Sequence, residues 1–218
     1  MTVITIDGPA GSGKSTIGRE LAARLGYIYL DTGAMYRAVA WAARENGLDI
    51  KDEKAIAVLL EQIELDFDFR SGRVAVNNKD ISYLLRSPEM DALSSAVSRL
   101  GAVRNHLTHL QRQAGQNGDI VAEGRDMGTV VFPDADFKFF LTADIHERAA
   151  RRKGQLDALN KTVAYEDILA QISLRDEADS KRTLSPLGPA SDAVVIDTTG
   201  LMIDDVLKKI LTLIKIRQ

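Results

Sequence analysis

Gly8-Pro9-Ala10-Gly11-Ser12-Gly13-Lys14-Ser15-Thr16 fits the pattern G-x-x-x-x-G-K-[ST], and the residues on either side of it decide the fold. Upstream, residues 2–7 are β-branched and apolar, as a buried strand requires, and end on Asp7. Downstream from Lys14, apolar residues recur with helical spacing at Ile17, Leu21, Ala22 and Leu25, and Gly26 supplies the stop. Strand, glycine-rich turn and helix thus follow in the order the pattern needs. Glycines let backbone N–H groups turn inward around a phosphate, and the helix start aims its positive dipole end at the same place. Lys14 then reaches the β and γ phosphates of a nucleoside triphosphate, and the Ser15 hydroxyl can hold Mg²⁺. The plain alternative is a glycine-rich turn carrying a surface lysine, and the placement between strand and helix argues against it.

Working outward, residues 27–30 read as a second strand and residues 34–46 as a second helix, ended by Gly47. The resulting βαβα order implies a parallel sheet. Between residues 64 and 81 the period changes: Leu65, Phe67 and Phe69 alternate with charged residues, Ser71-Gly72 turns the chain, and Val74 and Val76 alternate on the way back. This predicts a small antiparallel insertion. Ser87-Pro88 starts a helix that runs to Ser98, and a further helix follows from Gly101 to Gln113. Short buried strands are expected at 119–122 and 137–142, a last strand at 194–197, and a closing amphipathic helix at 201–216. The whole reads as one α/β domain over residues 1–218.

Composition narrows the chemistry. Zero cysteines exclude a disulfide framework, a thiolate metal site and a Cys nucleophile, and fit a reducing compartment. Three histidines, His106, His109 and His146, form no zinc-binding pattern. A net charge of −3 provides no global field for nucleic acid, so none is expected as a partner. No run approaches the roughly 20 apolar residues that span a bilayer, and the start of the chain lacks a signal-peptide pattern, so the expected location is the cytoplasm. With no sustained apolar heptad, a monomer is expected. A guanine-reading N-K-x-D is absent, and the D-x-x-G match Asp197-Thr198-Thr199-Gly200 falls too late for a guanine module to follow. A small phosphotransferase fits better than a nucleotide switch or a mechanical ATPase.

Asp31-Thr32-Gly33-Ala34-Met35-Tyr36-Arg37 and Glu123-Gly124-Arg125-Asp126, continuing to Ala135, resemble the bacterial-type cytidylate (CMP) kinases when taken with the phosphate loop. The resemblance covers nearly the whole chain, and Thr32 stands where some members have serine. It implies a P-loop NTPase fold: a central parallel sheet flanked by helices, a lid, and an antiparallel insertion in the monophosphate-binding region. The core would comprise about 1–34, 115–150 and 190–218, the monophosphate-binding region about 35–114, and the lid about 151–165. It also implies transfer of the γ-phosphoryl group of ATP to CMP or dCMP with Mg²⁺. ATP would lie on Gly8 through Thr16. The acceptor would lie on Thr32, Tyr36, Arg37, Ser95, Arg104, Arg125, Asp126, Asp179 and Arg182. Arg37 would hold its phosphate, and Ser95, Arg104 and Asp126 would read cytosine. Lys14, Arg125, Arg148, Arg152 and Arg175 would carry the transfer. A P-loop kinase for another small acceptor, such as UMP, AMP or a metabolite, is the alternative.

The residue chemistry can be read separately. Arginine binds phosphate oxygens bidentately, which suits Arg37, although an arginine near a helix start is also an ordinary surface residue. A carboxylate with arginine and hydroxyl neighbours can read cytosine, although Asp126 beside Arg125 also reads as a loop ion pair. Arg148, Arg151 and Arg152, at i, i+3 and i+4, gather positive charge on one helix face that an anion would relieve. Arg175, Asp179 and Arg182 share a face, which reads equally as catalysis or as a salt-bridged surface. Residues 153–162, with Gly154 and mixed polar side chains, match a lid that excludes water.

Overall fold

The computed structural model describes residues 1–217, Arg217 without its side chain, so Gln218, the end of the expected domain, lies outside the described residues. Two compact units form, Ile28–Ile120 and Thr2–Tyr27 with Val121 onward. The sequence reading of one domain put residues 28–34 and 115–120 in the core; here both stretches group with the first of these units. The physical reason is local. Strand β2 (Ile28–Asp31) runs directly into helix α2 (Thr32–Glu45), and the Asp31 carboxylate caps that helix by accepting the Ala34 N–H at 2.8 Å.

The unit of residues 2–27 and 121 onward opens with β1 (Val3–Asp7), whose Ile4 and Ile6 are fully buried. Helix α1 (Lys14–Leu25) follows and ends on Gly26 with φ 71, whose N–H reaches the carbonyls of Ala22 and Ala23. Strand β6 (Ile120–Gly124) is buried throughout and leads into a π-helical turn, Met127–Val131. Strands β7 (Phe137–Thr142) and β8 (Val194–Asp197) complete the sheet. Helices α6 (Ile145–Ala158), α7 (Tyr165–Lys181) and α8 (Ile203–Arg217) complete the unit. The five-stranded sheet has the order β2-β6-β1-β7-β8. β1 and β7 are parallel with Asp7 opposite Phe140, and β7 and β8 are parallel with Thr142 opposite Asp197. The carboxyl ends of β1, β7 and β8 therefore lie together, the edge at which α/β sheets receive ligands.

Helix α6 continues to Ala158 through the segment expected to be a lid, which leaves residues 159–164 as the non-helical link to α7. Leu156 anchors this last turn by packing with Ala149, Ile168 and Ile172 between α6 and α7. Gly154 faces open space, so its missing side chain breaks no packing.

The unit Ile28–Ile120 is built around α2, where Met35, Ala38, Val39, Ala40, Ala42 and Ala43 are buried. Helix α3 (Glu53–Gln62) was not foreseen, although Asp52 caps it and Ile56, Leu59 and Leu60 mark its buried face. Helices α4 (Pro88–Val97) and α5 (Gly101–Gly115) pack on α2 and α3. The insertion is a three-stranded antiparallel sheet, β3 (Leu65–Asp68), β4 (Arg73–Val76) and β5 (Lys79–Asp80). Among the described residues no helix is long and apolar enough to cross a membrane.

Candidate functional site

The phosphate loop turns at the carboxyl end of β1, and its carbonyls are held by side chains. The Lys14 ammonium, on the first turn of α1 and 6% exposed, donates to Pro9 O at 2.9 Å. Arg148 Nη1 donates to Ala10 O at 3.0 Å, and Thr198 Oγ donates to Ser12 O at 3.2 Å. Burial pushes the Lys14 pKa down to about 7; Arg125 and Arg175 push the same way, while Glu123 and Asp179 oppose them. Ser15 and Thr16 lie exposed on the first turn of α1.

Sequence reasoning missed Glu123. It lies one residue before the end of β6, is 5% exposed, and accepts the Ser15 hydroxyl at 2.9 and 2.8 Å through its two oxygens. The available signal was an apolar run, Ile120-Val121-Ala122, ending on a carboxylate.

Asp7 was also missed. Its carboxylate accepts the N–H groups of Met127 and Gly128, each at 2.8 Å, and so ties the strand before the phosphate loop to the turn after Asp126. Burial raises its pKa to about 6 against those two N–H groups; Asp126 adds to the rise and Arg125 opposes it. A carboxyl with a raised folded-state pKa favours folding fully below its unfolded value and loses that contribution as pH rises through about 6. Asp7→Asn carries no such ionisation. Denaturation at pH 4 and 7.5 should therefore show the stability gap moving in favour of Asp7→Asn by about 2 kcal/mol. A gap that does not change with pH would show that Asp7 titrates alike in both states.

The arginines of this unit fall into distinct groups. Arg125 donates through Nε to Asp179 Oδ2 at 3.0 Å and through Nη1 to Gly124 O at 3.2 Å. Burial alone would raise the Asp179 pKa, but Arg125, Arg175 and Arg182 outweigh it and hold the carboxyl below its ordinary value. Asp126 is buried beside Arg125, and Arg182 donates to Ser185 O just past α7. The face of Arg148, Arg151 and Arg152 is not the uncompensated cluster that spacing suggested. Asp176 pairs with Arg148 at 2.5 Å, Glu147 pairs with Arg151 at 3.1 Å, and Arg152 donates to Gln155 at 3.3 Å. Arg151 also donates to Thr198 Oγ at 3.0 Å and to Thr198 O at 2.7 Å. The Asp197–Gly200 stretch, too late in the sequence for a guanine module, supplies a buried threonine that braces the phosphate loop.

In the unit Ile28–Ile120 a second cationic site lies at the start of α2. Arg37 sits over Gly33, where a Cβ would meet Nη1 at 3.0 Å, so its guanidinium lies against the helix N-terminal turn. Asp31 holds it with both oxygens at 3.4 Å, and Asp91 lies 3.9 Å away. Arg37 Nε is buried without a protein partner. Thr32 and Tyr36 are buried on the same two turns. Helix N–H groups and an arginine fork are the kinds of group that can receive an anion, and here the Asp31 carboxylate accepts from both. Ser95 lies on α4, and the buried Arg104, on α5, donates to Ser98 O at 3.3 Å, which ties these two helices together.

Known proteins match nearly the whole of this chain. A family model described as cytidylate kinase matches residues 4–216. The cytidylate kinase of Carboxydothermus hydrogenoformans is 46% identical, over 97% of this chain and 96% of that one. The cytidylate kinase of Syntrophotalea carbinolica is 47% identical, over 99% of this chain and 93% of that one. Among solved structures, an uncharacterized protein from Eubacterium ventriosum shares the fold with a TM-score of 0.58 at 12% identity, covering 99% of both chains.

Proposed function

We propose how the residues divide the work in this chain, which belongs to the cytidylate kinase family and transfers the γ-phosphoryl group of ATP to CMP. The observation that carries the assignment is the convergence at the carboxyl end of β1: a phosphate loop whose carbonyls are tied back, the buried Lys14, and Glu123 on Ser15. In the transfer, an oxygen of the acceptor phosphate forms a bond to the γ-phosphorus as the bond to the β,γ-bridging oxygen breaks, and ADP leaves. The acceptor oxygen is already an anion, so no general base is required.

The chain's part is to position and neutralise. Phosphate-loop N–H groups and Lys14 hold the donor, with Gly8 through Thr16 as its binding stretch. The Ser15 hydroxyl and the Glu123 carboxylate are hard oxygen donors 2.8 Å apart, which fits Mg²⁺ held together with substrate phosphates. Bound there, Mg²⁺ supplies charge neutralisation to the β and γ phosphates. Arg37 at the start of α2, with Thr32 and Tyr36, receives the acceptor phosphate. Ser95, Arg104 and Asp126 read the base, and Asp179 and Arg182 serve the acceptor. Arg125, Arg152 and Arg175 cover the developing charge, and Arg148 acts through the loop carbonyl it holds. A monomer is part of the proposal, as is dCMP as a second acceptor.

The test is ADP production from Mg·ATP with CMP, dCMP, UMP, AMP, GMP or no acceptor. Turnover with CMP and dCMP far above the rest is expected; equal turnover with UMP would overturn the base-reading set. Asp126→Ala should bring the CMP and UMP rates together, about 10²-fold in their ratio, whereas equal losses for both would remove Asp126 from recognition. Glu123→Gln keeps an oxygen for Ser15 but loses the charge. It should lower kcat about 10- to 100-fold and raise the Mg²⁺ concentration needed for half-maximal rate; an unchanged Mg²⁺ requirement would exclude Glu123 from the metal site.

A further inference from the structure

Helix α7 presents two carboxylates one turn apart, Asp176 and Asp179, and each is committed to a different arginine. Asp179 pairs with Arg125. Asp176 pairs with Arg148, whose side chain is 8% exposed. The neighbouring pair Glu177 and Lys181 on the same helix is an exposed i,i+4 contact of the kind that contributes little. The Asp176 pair is built differently. Arg148 donates through Nε to Ala143 O at 3.0 Å, and its Nη1 serves both Ala10 O at 3.0 Å and Asp176 Oδ2 at 2.5 Å. Gly11, next along the loop, packs so closely on Arg148 that a Cβ would lie 2.9 Å from the arginine Cβ and 3.0 Å from its carbonyl. Asp176, Arg148 and the Ala10-Gly11 peptide thus form one stack running from α7 through α6 to the phosphate loop.

A carbonyl oxygen that faced a bound phosphate would repel it. With Ala10 O drawn onto Arg148, the loop keeps that oxygen occupied and leaves N–H groups for the donor. Two of the three groups holding Arg148 are neutral carbonyls; Asp176 supplies the countercharge that makes a buried guanidinium favourable at this spot. We infer that Asp176 is a positioning residue for the phosphoryl donor: it fixes Arg148, which fixes the peptide of Ala10, while Asp179 on the next turn serves Arg125 separately. The inference rests on the proposed function, because it takes the loop to be the ATP site.

Steady-state kinetics of Asp176→Ala and Asp176→Asn test it. Asp176→Ala should raise KM for Mg·ATP and lower kcat, each about tenfold, with KM for CMP within about twofold of wild type. Asp176→Asn, which keeps the shape and one acceptor oxygen for Arg148, should show a smaller shift of the same kind and carries the test if the alanine variant does not fold. Adding Arg148→Ala to Asp176→Ala should give no further loss beyond Arg148→Ala alone, since both act through one contact. Three results would overturn the inference: equal rises in both KM values, multiplicative losses in the double variant, or a lowered melting midpoint with unchanged kinetic constants. Wild-type turnover with CMP, run in parallel, separates the cases, because its absence would sink the proposed function rather than the role of Asp176.

Discussion

Replacing Lys14 with methionine should lower kcat by about 10³-fold while leaving the fold at least as stable. The two effects have opposite signs for one reason. The Lys14 ammonium is buried, donates to Pro9 O, and shares its surroundings with Arg125 and Arg175. Folding therefore disfavours its charge, as the fall of its pKa to about 7 records. Methionine has similar length and no charge to bury, so it removes that penalty and forfeits one hydrogen bond to a carbonyl. In the transfer step the same ammonium faces phosphate oxygens whose charge is being redistributed, and no neighbour can replace it. Arginine at a neighbouring position does not substitute, because a planar guanidinium does not fit where a point charge on a flexible stem does. Urea denaturation and steady-state kinetics at pH 7 check both halves. A loss in kcat of less than about tenfold would remove Lys14 from the transition state, and a large loss of stability would mean that it serves the fold instead.

What the sequence made legible follows the range of the interactions. The phosphate loop and its flanking strand and helix are specified within some twenty-five residues, by periodicity and glycine placement, and the structure has them where the spacing put them. The antiparallel insertion was legible for the same reason, since alternation of Leu65 and Phe67 against Val76 and Val74 sets a local register. Residues whose value comes from a distant partner were not. Ser15 and Glu123 are 108 positions apart, and Thr198 lies 186 positions from the Ser12 carbonyl it braces. Asp176 reads on its own helix as one more surface carboxylate, and only the packing of α6 on α7 shows Arg148 against it. Residues 153–162, read as a lid from Gly154 and their polar composition, are helical as far as Ala158, because one apolar side chain, Leu156, docks between α6 and α7.

Arg125→Met should lower kcat by about 10²- to 10³-fold and, unlike the change at Lys14, should destabilise the protein by about 3 kcal/mol at neutral pH. Asp179 is the cause of the second effect. Its carboxylate is buried, and burial by itself would raise its pKa; the arginines reverse that, with Arg125 foremost and in direct contact at 3.0 Å. With Arg125 gone, Arg175 and Arg182 remain near it, but the hydrogen bond does not. The sign of the pH dependence follows. A carboxyl with a lowered folded-state pKa contributes stability above its unfolded value, and that contribution disappears as pH falls through the folded one. The gap between wild type and Arg125→Met should therefore be widest near pH 7 and should close on acidification below about pH 4. Adding Asp179→Asn to Arg125→Met should restore stability, because the uncompensated charge is removed, and should restore no activity, because Arg125 acts on phosphate. If the double variant stays as unstable as Arg125→Met, Asp179 is not the strained partner; if it regains turnover, Arg125 serves only to neutralise Asp179, and its place in the transfer is lost.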